Sequence, residues 1–182
     1  MAKVMKLSAL ISSLITVMLI AVYLLTKNGV LFALAVTAGT FAYHFNMRLL
    51  VGSAVDAIMR NRADPNRHWY KERAFEAKLY RFLRVKRWKL RLPTYAPDLF
   101  SMTEHTPWEI LQAGCQAEIV HEVIVLLSFL PLFFAIPFGE FPVFLITSLL
   151  SALFDSLFVI LQRYNRPRLL RYCRQSTSAE SE

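Results

Sequence analysis

The sequence lacks the short motifs that mark several classes of enzyme. It contains no Gly-x-Ser-x-Gly nucleophile turn and no glycine-rich phosphate loop. No histidine pair has His-x-x-x-His or His-Glu-x-x-His spacing and no Cys-x-x-Cys is present, so we expect no metal site and no bound cofactor. The His-x-x-x-x-Asp motif of glycerolipid acyltransferases is also missing. Cys115 and Cys173 are expected to be free thiols.

Charge is scarce over four long stretches of the chain. The stretches are approximately Leu7–Leu25, Val30–Val51, Ile119–Phe138 and Phe141–Leu161. A helix of about 20 residues, rising ~1.5 Å per residue, crosses the ~30 Å hydrocarbon core of a bilayer. Only 5 of the 182 residues are glycine, and 55% are hydrophobic. We therefore predict an all-α fold, an integral membrane four-helix bundle that forms a single membrane domain over residues 1–182.

Acidic residues are outnumbered by basic residues, 13 to 21. Lys3 and Lys6 precede the first span, twelve basic residues lie in the central loop 52–117, and five follow Leu161. The positive-inside rule therefore assigns both termini and the central loop to the cytoplasm. Anionic lipid headgroups account for this charge, so we expect membrane lipids, and no nucleic acid, as partners. The first span lacks a small-x-small cleavage pattern and is interpreted as an anchor, not as a signal peptide.

The central loop carries signals of helical structure. Asp64-Pro65 is typical of an N-cap followed by the first helical residue. Hydrophobic residues then recur near helical spacing between basic ones; they are Trp69, Phe75, Leu79, Phe82 and Leu83. This pattern predicts a basic helical segment in the cytoplasmic membrane interface, or else an ordinary amphipathic helix packed on its neighbours. Val85–Pro93 fits either an extended strip or a continued helix, and Thr106-Pro107-Trp108-Glu109 predicts a second helix start with a capping box.

Two residues at the cytoplasmic foot of the third span are candidates for catalysis. Glu118 and His121 are three residues apart and therefore share one face of a helix. A carboxylate in that position can orient an imidazole that acts as a general base toward a hydroxyl group. Glu122, on a neighbouring face, is an alternative orienting group. The competing interpretation is that Glu118 and His121 only pair with basic residues.

Polar residues also lie inside the second and fourth spans. His44 and Arg48 are an i, i+4 pair that can point together into the bundle, where they would contribute to a substrate site. The alternatives are that Arg48 snorkels to the interface and that His44 bonds a neighbouring backbone group. Asp155 needs a partner or a proton at membrane depth, and Arg48 is one possible partner.

The fourth span ends in an unusually ordered polar block, Gln162-Arg163-Tyr164-Asn165-Arg166-Pro167-Arg168. Three arginines beside two side-chain amides and a phenol are suited to hold an anion at the membrane surface. Pro167 is expected to end the helix. The tail 169–182 becomes rich in Ser and Glu from Gln175 onward and is predicted to be disordered.

These blocks resemble the glycosyl-4,4'-diaponeurosporenoate acyltransferase family, small membrane proteins of staphyloxanthin-type carotenoid biosynthesis. The resemblance covers the C-terminal block Gln162–Leu169, the basic strip Val85–Lys89 and the Ala-Glu-x-x-His pattern at Ala117–His121, in the family's order and spacing. It implies a bacterial inner-membrane acyltransferase that moves a fatty acyl group to a sugar hydroxyl of an amphiphilic glycosylated acceptor, above all a glycosyl-carotenoid.

The resemblance carries over the positions of the matching residues, and we infer their roles from their chemistry. His121, oriented by Glu118, would deprotonate the sugar hydroxyl as it attacks the acyl donor, either acyl-CoA or acyl-carrier protein. The donor's phosphates or the oxyanion would be bound by Arg163, Arg166 and Arg168, with Gln162, Tyr164 and Asn165 completing the site.

Two alternatives belong to other functional classes. Small membrane methyltransferases and reductases also place a polar C-terminal motif beside membrane helices, but they follow it with a glutamate, whereas here no acid occurs between Arg168 and Glu180. A non-enzymatic lipid-binding scaffold would use the basic loop to hold a partner at the membrane.

Overall fold

The computed structural model describes residues 2–179, and within that range every regular element is helical. Four of its helices are long and apolar enough to cross a membrane: Ala2–Thr26, Gly29–Met59, Pro107–Phe138 and Phe141–Gln175. The predicted all-α fold with four spans is therefore confirmed. The α-helices in chain order are α1 (Ala2–Thr26), α2 (Gly29–Met59), α3 (Glu76–Phe82), α4 (Val85–Trp88), α5 (Pro107–Leu127), α6 (Ala135–Phe138) and α7 (Phe141–Ala179).

The helices extend further toward the predicted cytoplasmic side than the apolar runs alone indicated. α2 continues eight residues beyond Val51, to Met59, and α5 starts at Pro107, well before Ile119. The third span is composite, because a 3-10 segment, Leu130–Phe134, separates α5 from α6 and contains Pro131, which lacks a backbone donor. Gly139 then adopts φ +67° in the turn before α7, a conformation that favours glycine.

The prediction that Pro167 ends the fourth helix is wrong. α7 continues through Pro167 to Ala179, so residues 175–179 are helical and not disordered; residues 180–182 lie outside the described part. A proline inside a helix removes a backbone donor. In the same turns the guanidinium of Arg168 donates to the carbonyl of Tyr164, and that of Arg171 donates to the carbonyl of Pro167 (3.2 Å). These side-chain contacts add hydrogen bonds to the turns around Pro167, where the Arg163 carbonyl loses its usual helical donor.

The predicted helix start at Asp64-Pro65 is also wrong. The Asp64 carboxylate instead accepts a hydrogen bond from the backbone N–H of Asn66 (3.0 Å), which closes a local turn. Only a short 3-10 turn, His68–Tyr70, precedes α3, because Tyr70 packs with Ala63 and Cys115 in a small core and the chain is extended at the next residue. The backbone here thus follows the burial of Tyr70 and not the helix start that the sequence predicted.

The hydrophobic recurrence from Trp69 to Leu83 forms an α-helix only over α3, Glu76–Phe82. Val85–Arg91 is helical and not an extended strip, with α4 followed by a 3-10 turn over Lys89–Arg91; it does not continue α3, because Arg84 between them is left-handed, and the chain is extended from Leu92. The capping box at the start of α5 is formed in both directions. The Thr106 N–H donates to the Glu109 carboxylate (2.8 Å), and the Glu109 N–H donates to the Thr106 hydroxyl (3.3 Å).

The chain divides into two compact units, Met1–Ser53 with Val123–Asp155, and Ala54–Glu122 with Ser156–Glu182. In the first unit, α1 exposes most of its large apolar side chains and buries only Ala9, as expected of a helix surrounded by lipid. The second unit contains the central loop and the C-terminal block, and its small core of Ala63, Tyr70 and Cys115 is flanked by Met59 and Ile119.

Candidate functional site

Glu118 is the centre of a buried ionic network in the second unit. Its side chain is 0% exposed, and both carboxylate oxygens face arginines of α7. Arg163 Nη1 lies 2.8 Å from Oε1, and the Arg166 guanidinium forms an ion pair with Oε2. Glu118 therefore connects the polar foot of α5 directly to the C-terminal block, two segments that are 45 residues apart in the sequence.

Arg163 binds a second buried carboxylate, that of Glu76 on α3. Its Nε and Nη2 atoms lie 2.9 and 2.7 Å from Glu76 Oε1, while Glu76 Oε2 accepts a hydrogen bond from the Tyr80 hydroxyl (2.6 Å). Burial, followed by this hydrogen bond, raises the pKa of Tyr80, so its phenol stays neutral. Arg163 therefore fixes α3 to α5 and α7.

Arg166 is equally enclosed, with 4% of its surface exposed. Its Nη1 donates to the backbone carbonyl of Tyr70 (2.5 Å), and its guanidinium lies 4.9 Å from the centre of the Tyr70 ring. Burial is the main factor that raises the pKa of Tyr70. With Glu118 as the ionic partner, Arg166 is neutralised inside the protein, so an incoming anion would have to compete with a carboxylate already in place.

His121 occupies a half-buried position one helical turn beyond Glu118. Its imidazole stacks on the ring of Phe158, with 4.6 Å between the ring centres and 11° between the planes. The neighbouring Glu122 accepts a hydrogen bond from the Trp69 indole (2.9 Å), and its other oxygen lies 3.9 Å from Arg163. The imidazole thus lies on the same helix as Glu118 and packs against the Phe158 ring.

The other members of the C-terminal block gather around Tyr164. The Arg168 guanidinium lies 3.7 Å from the centre of the Tyr164 ring, and the Lys89 ammonium lies 5.3 Å from it. Lys89 also approaches the Asn165 side-chain oxygen (3.5 Å), so the basic strip of the loop contacts the block. The side chain of Gln162 packs closely against Gly114 of α5. A residue other than glycine at position 114 would place its Cβ only 3.3 Å from the amide oxygen of Gln162.

His44 and Arg48 belong to the first unit. Asp155 has the predicted partner there, because Arg48 Nη2 and Nε lie 2.5 and 3.0 Å from its Oδ2. Arg48 also donates to the hydroxyl of Ser151 (2.9 Å) and to the backbone carbonyl of His44 (3.0 Å). Within residues 2–179, neither ring nitrogen of the buried His44 has a hydrogen-bond partner.

Comparison with known proteins identifies the chain's relatives. The model of the glycosyl-4,4'-diaponeurosporenoate acyltransferase family matches residues 66–175, more than half of the chain. The chain belongs to this family. No curated protein and no solved structure matches it. The matched range includes Glu118, His121 and the whole block 162–168, the segments that the ionic network joins in this acyltransferase family member.

Sequence reasoning missed several residues of the site. Glu76 holds Arg163, Tyr70 holds Arg166, and Gln112 and Gln116 bind the turn that follows α2. One signal could have revealed Glu76, since it and Glu72 are the only acids among the many basic residues between positions 65 and 95. The other contacts depend on backbone carbonyls and local turns that residue spacing does not encode.

Proposed function

We propose that this membrane protein transfers a fatty acyl group from an acyl thioester to a sugar hydroxyl of a glycosylated lipid, with a glycosyl-carotenoid as the preferred acceptor. One observation supports the proposal above the others. The family match spans Glu118–His121 and block 162–168, and these segments meet through Glu118, Arg163 and Arg166.

His121 acts as the general base in the proposed reaction. Its imidazole takes the proton of the sugar hydroxyl while the hydroxyl oxygen attacks the acyl carbonyl. The tetrahedral intermediate then expels the thiolate of the donor, which receives the proton from the imidazolium, and the products are a sugar ester and a free thiol. Stacking on Phe158 restricts the orientation of the imidazole plane.

The ionic contacts suggest that Glu118 positions the site. Because both of its oxygens face arginines, it fixes α5 to α7 and thereby sets His121 relative to the C-terminal block. The oxyanion is assigned to donors around Tyr164, since Arg168 and Lys89 have no carboxylate partner within residues 2–179. No resident cofactor is required; acyl-CoA or acyl-carrier protein serves as co-substrate.

The proposed location is the bacterial cell membrane, with both termini and the central loop in the cytoplasm. The twelve basic residues of the loop and the five after Leu161 support this orientation. It brings the site to the face of the membrane where soluble acyl donors are found, while the apolar part of the acceptor remains among the lipids.

Acyl transfer by the detergent-purified protein tests the proposal. Radiolabelled acyl-CoA and acyl-carrier protein are each supplied with glycosyl-carotenoid, glycolipid and unglycosylated acceptors. We expect labelled ester from the parent and a loss of about 100-fold or more for folded His121→Ala, since general-base catalysis contributes roughly 10²–10⁴-fold. His68→Ala is the matched control, because His68 is exposed on the loop and lies outside the network.

The outcomes separate the functional classes. If folded His121→Ala retains full activity, the base assignment is wrong. If no acceptor is labelled with either donor, while neutralising the loop's basic residues abolishes the cellular function, the scaffold interpretation replaces the enzymatic one.

A further inference from the structure

A cleft of about 560 Å³ opens in the second unit where α2 ends. Its walls are formed by the last residues of α2 and the turn after it, together with Arg67 and Tyr70 of the loop; the lining residues of the α2 end and the turn are Ala57, Ile58, Met59, Arg60, Arg62, Ala63 and Asp64. The volume lies in the range of about 300–1,000 Å³ typical of small-molecule sites.

The cleft is positively charged, and the arginines that carry this charge are accessible to a ligand. Arg60, Arg62 and Arg67 are exposed, and none forms an ion pair within the described part of the chain. Asp64 is the one acid among the lining residues. Arg163 and Arg166, in contrast, are enclosed with carboxylates. Guanidinium groups bind phosphate oxygens in bidentate geometry, so a cluster without carboxylate partners is suited to a phosphate-bearing ligand.

The turn that carries two of these arginines is held in place from α5. Arg60 and Asn61 adopt left-handed backbone conformations, with φ +48° and +54°; this region is tolerated by asparagine but is unfavourable for arginine. The Asn61 N–H donates to the side-chain oxygen of Gln116 (2.6 Å), whose amide donates to Asp56 (3.0 Å). One turn earlier on α5, Gln112 donates to the Ala63 carbonyl (3.1 Å). Two glutamines thus stabilise an otherwise costly turn.

Apolar residues complete the cleft and connect it to the ionic network. Met59, Ile58 and Tyr70 offer a hydrophobic surface beside the arginines. Tyr70 is also the residue whose carbonyl and ring contact Arg166. A ligand in the cleft would therefore have a place for its charged and apolar parts, next to a residue that Arg166 holds.

We propose that this cleft is a binding site for a phosphate-bearing amphiphile, with Arg60, Arg62 and Arg67 as its phosphate ligands. Its identification as the donor site of the acyltransferase rests on the function proposed above. The same phosphate chemistry has two sources, a nucleotide-containing thioester donor such as acyl-CoA and the headgroup of an anionic phospholipid.

Binding measurements on the full-length protein in detergent and in nanodiscs test the site. The probes are coenzyme A, and nanodiscs of phosphatidylglycerol compared with phosphatidylcholine. The test variant is Arg60→Gln/Arg62→Gln/Arg67→Gln. The matched control is Arg84→Gln/Lys86→Gln/Arg87→Gln, which removes the same charge from exposed residues outside the cleft. We expect the cleft variant to weaken binding of one probe at least tenfold and the control to weaken it less than threefold.

The probe that responds identifies the source of the phosphate. Equal losses in both triple variants, or no loss in the cleft variant, would overturn the inference. Because all six residues are exposed, folding is expected to be preserved; circular dichroism and thermal melting verify it, and the single Arg62→Glu reversal gives a second, less invasive test of the same site.

The acyl transfer assay distinguishes this inference from the proposed function. If the parent forms product and the cleft variant keeps the parent's KM for the donor and its affinity for both probes, the cleft is not a phosphate site although the function stands. If the parent forms no product but binds a probe in a cleft-dependent manner, the site stands and the transferase proposal fails.

Discussion

Replacing Glu118 by glutamine removes the carboxylate charge that Arg163 and Arg166 share. The amide keeps the volume of the side chain and can still accept one hydrogen bond, but Arg166 then has no ionic partner in the described part of the chain. Arg163 keeps Glu76. Breaking a buried ion pair by removing one partner costs about 3–5 kcal/mol. We expect the lower end, about 3 kcal/mol, because Arg163 remains paired.

That loss is large enough to measure as a change in thermal stability. For a chain of this size about 1 kcal/mol corresponds to roughly 2–4 °C, so Glu118→Gln should lower Tm by about 6–12 °C. Scanning fluorimetry of the detergent-purified protein measures the shift. Glu122→Gln is the matched control, since Glu122 is 23% exposed and 3.9 Å from Arg163, and such pairs contribute about 1 kcal/mol or less.

A double variant of Glu118 and Arg166 tests the same ion pair. Once Arg166 has lost its carboxylate partner, the additional replacement Arg166→Gln should cost little or restore stability, because it removes an unpaired buried charge. A Tm for Glu118→Gln no lower than that of Glu122→Gln would refute the central role of Glu118. Full additivity in the double variant would refute the ion pair.

Three further outcomes are expected. Arg48→Gln and Asp155→Asn should each lower Tm, and the double variant should be no less stable than the worse single, because the two side chains pair with each other; additive losses would argue against the pair. Thr106→Ala should lower Tm by less than Glu118→Gln, and Thr106→Ser should restore it, since either hydroxyl caps α5. The raised pKa of Tyr80 favours its neutral form in the folded state, so this contribution is complete below the unfolded value of about pH 10 and is lost above it; melting at increasing alkaline pH should show a shallower decline for Tyr80→Phe than for the parent.

The parts of the fold predicted from sequence are those that depend on local composition. Four apolar runs specify four helices because backbone groups in lipid must be satisfied within the helix itself. Asp155 required a partner because an isolated carboxylate charge is costly at membrane depth, and Arg48 supplies it. The capping box at Thr106 is equally local, since both hydrogen bonds join residues three apart.

Local rules failed where distant residues decide the backbone. Pro167 predicted a helix terminus, yet α7 continues through it. In this region Arg163 and Arg166 are bound by carboxylates of α3 and α5. Asp64-Pro65 predicted a helix start, but the chain forms a turn there and buries Tyr70 against Cys115. The ionic network was inaccessible for the same reason, because nothing in residue spacing shows that Glu76 and Glu118 meet the same arginine.

The contacts change which positive charges are available for a ligand. An arginine that faces a buried carboxylate is already desolvated and paired. A phosphate that bound to this arginine would leave the carboxylate without its ionic partner. Arg163 and Arg166 are in that position. The three cleft arginines and Arg168 are not, and they gain hydrogen bonds from a phosphate without losing an internal partner of opposite charge. Donor binding by the cleft and positioning by the buried network are therefore separable roles, and variants of each should change different kinetic constants: KM for the donor in the cleft, kcat in the network.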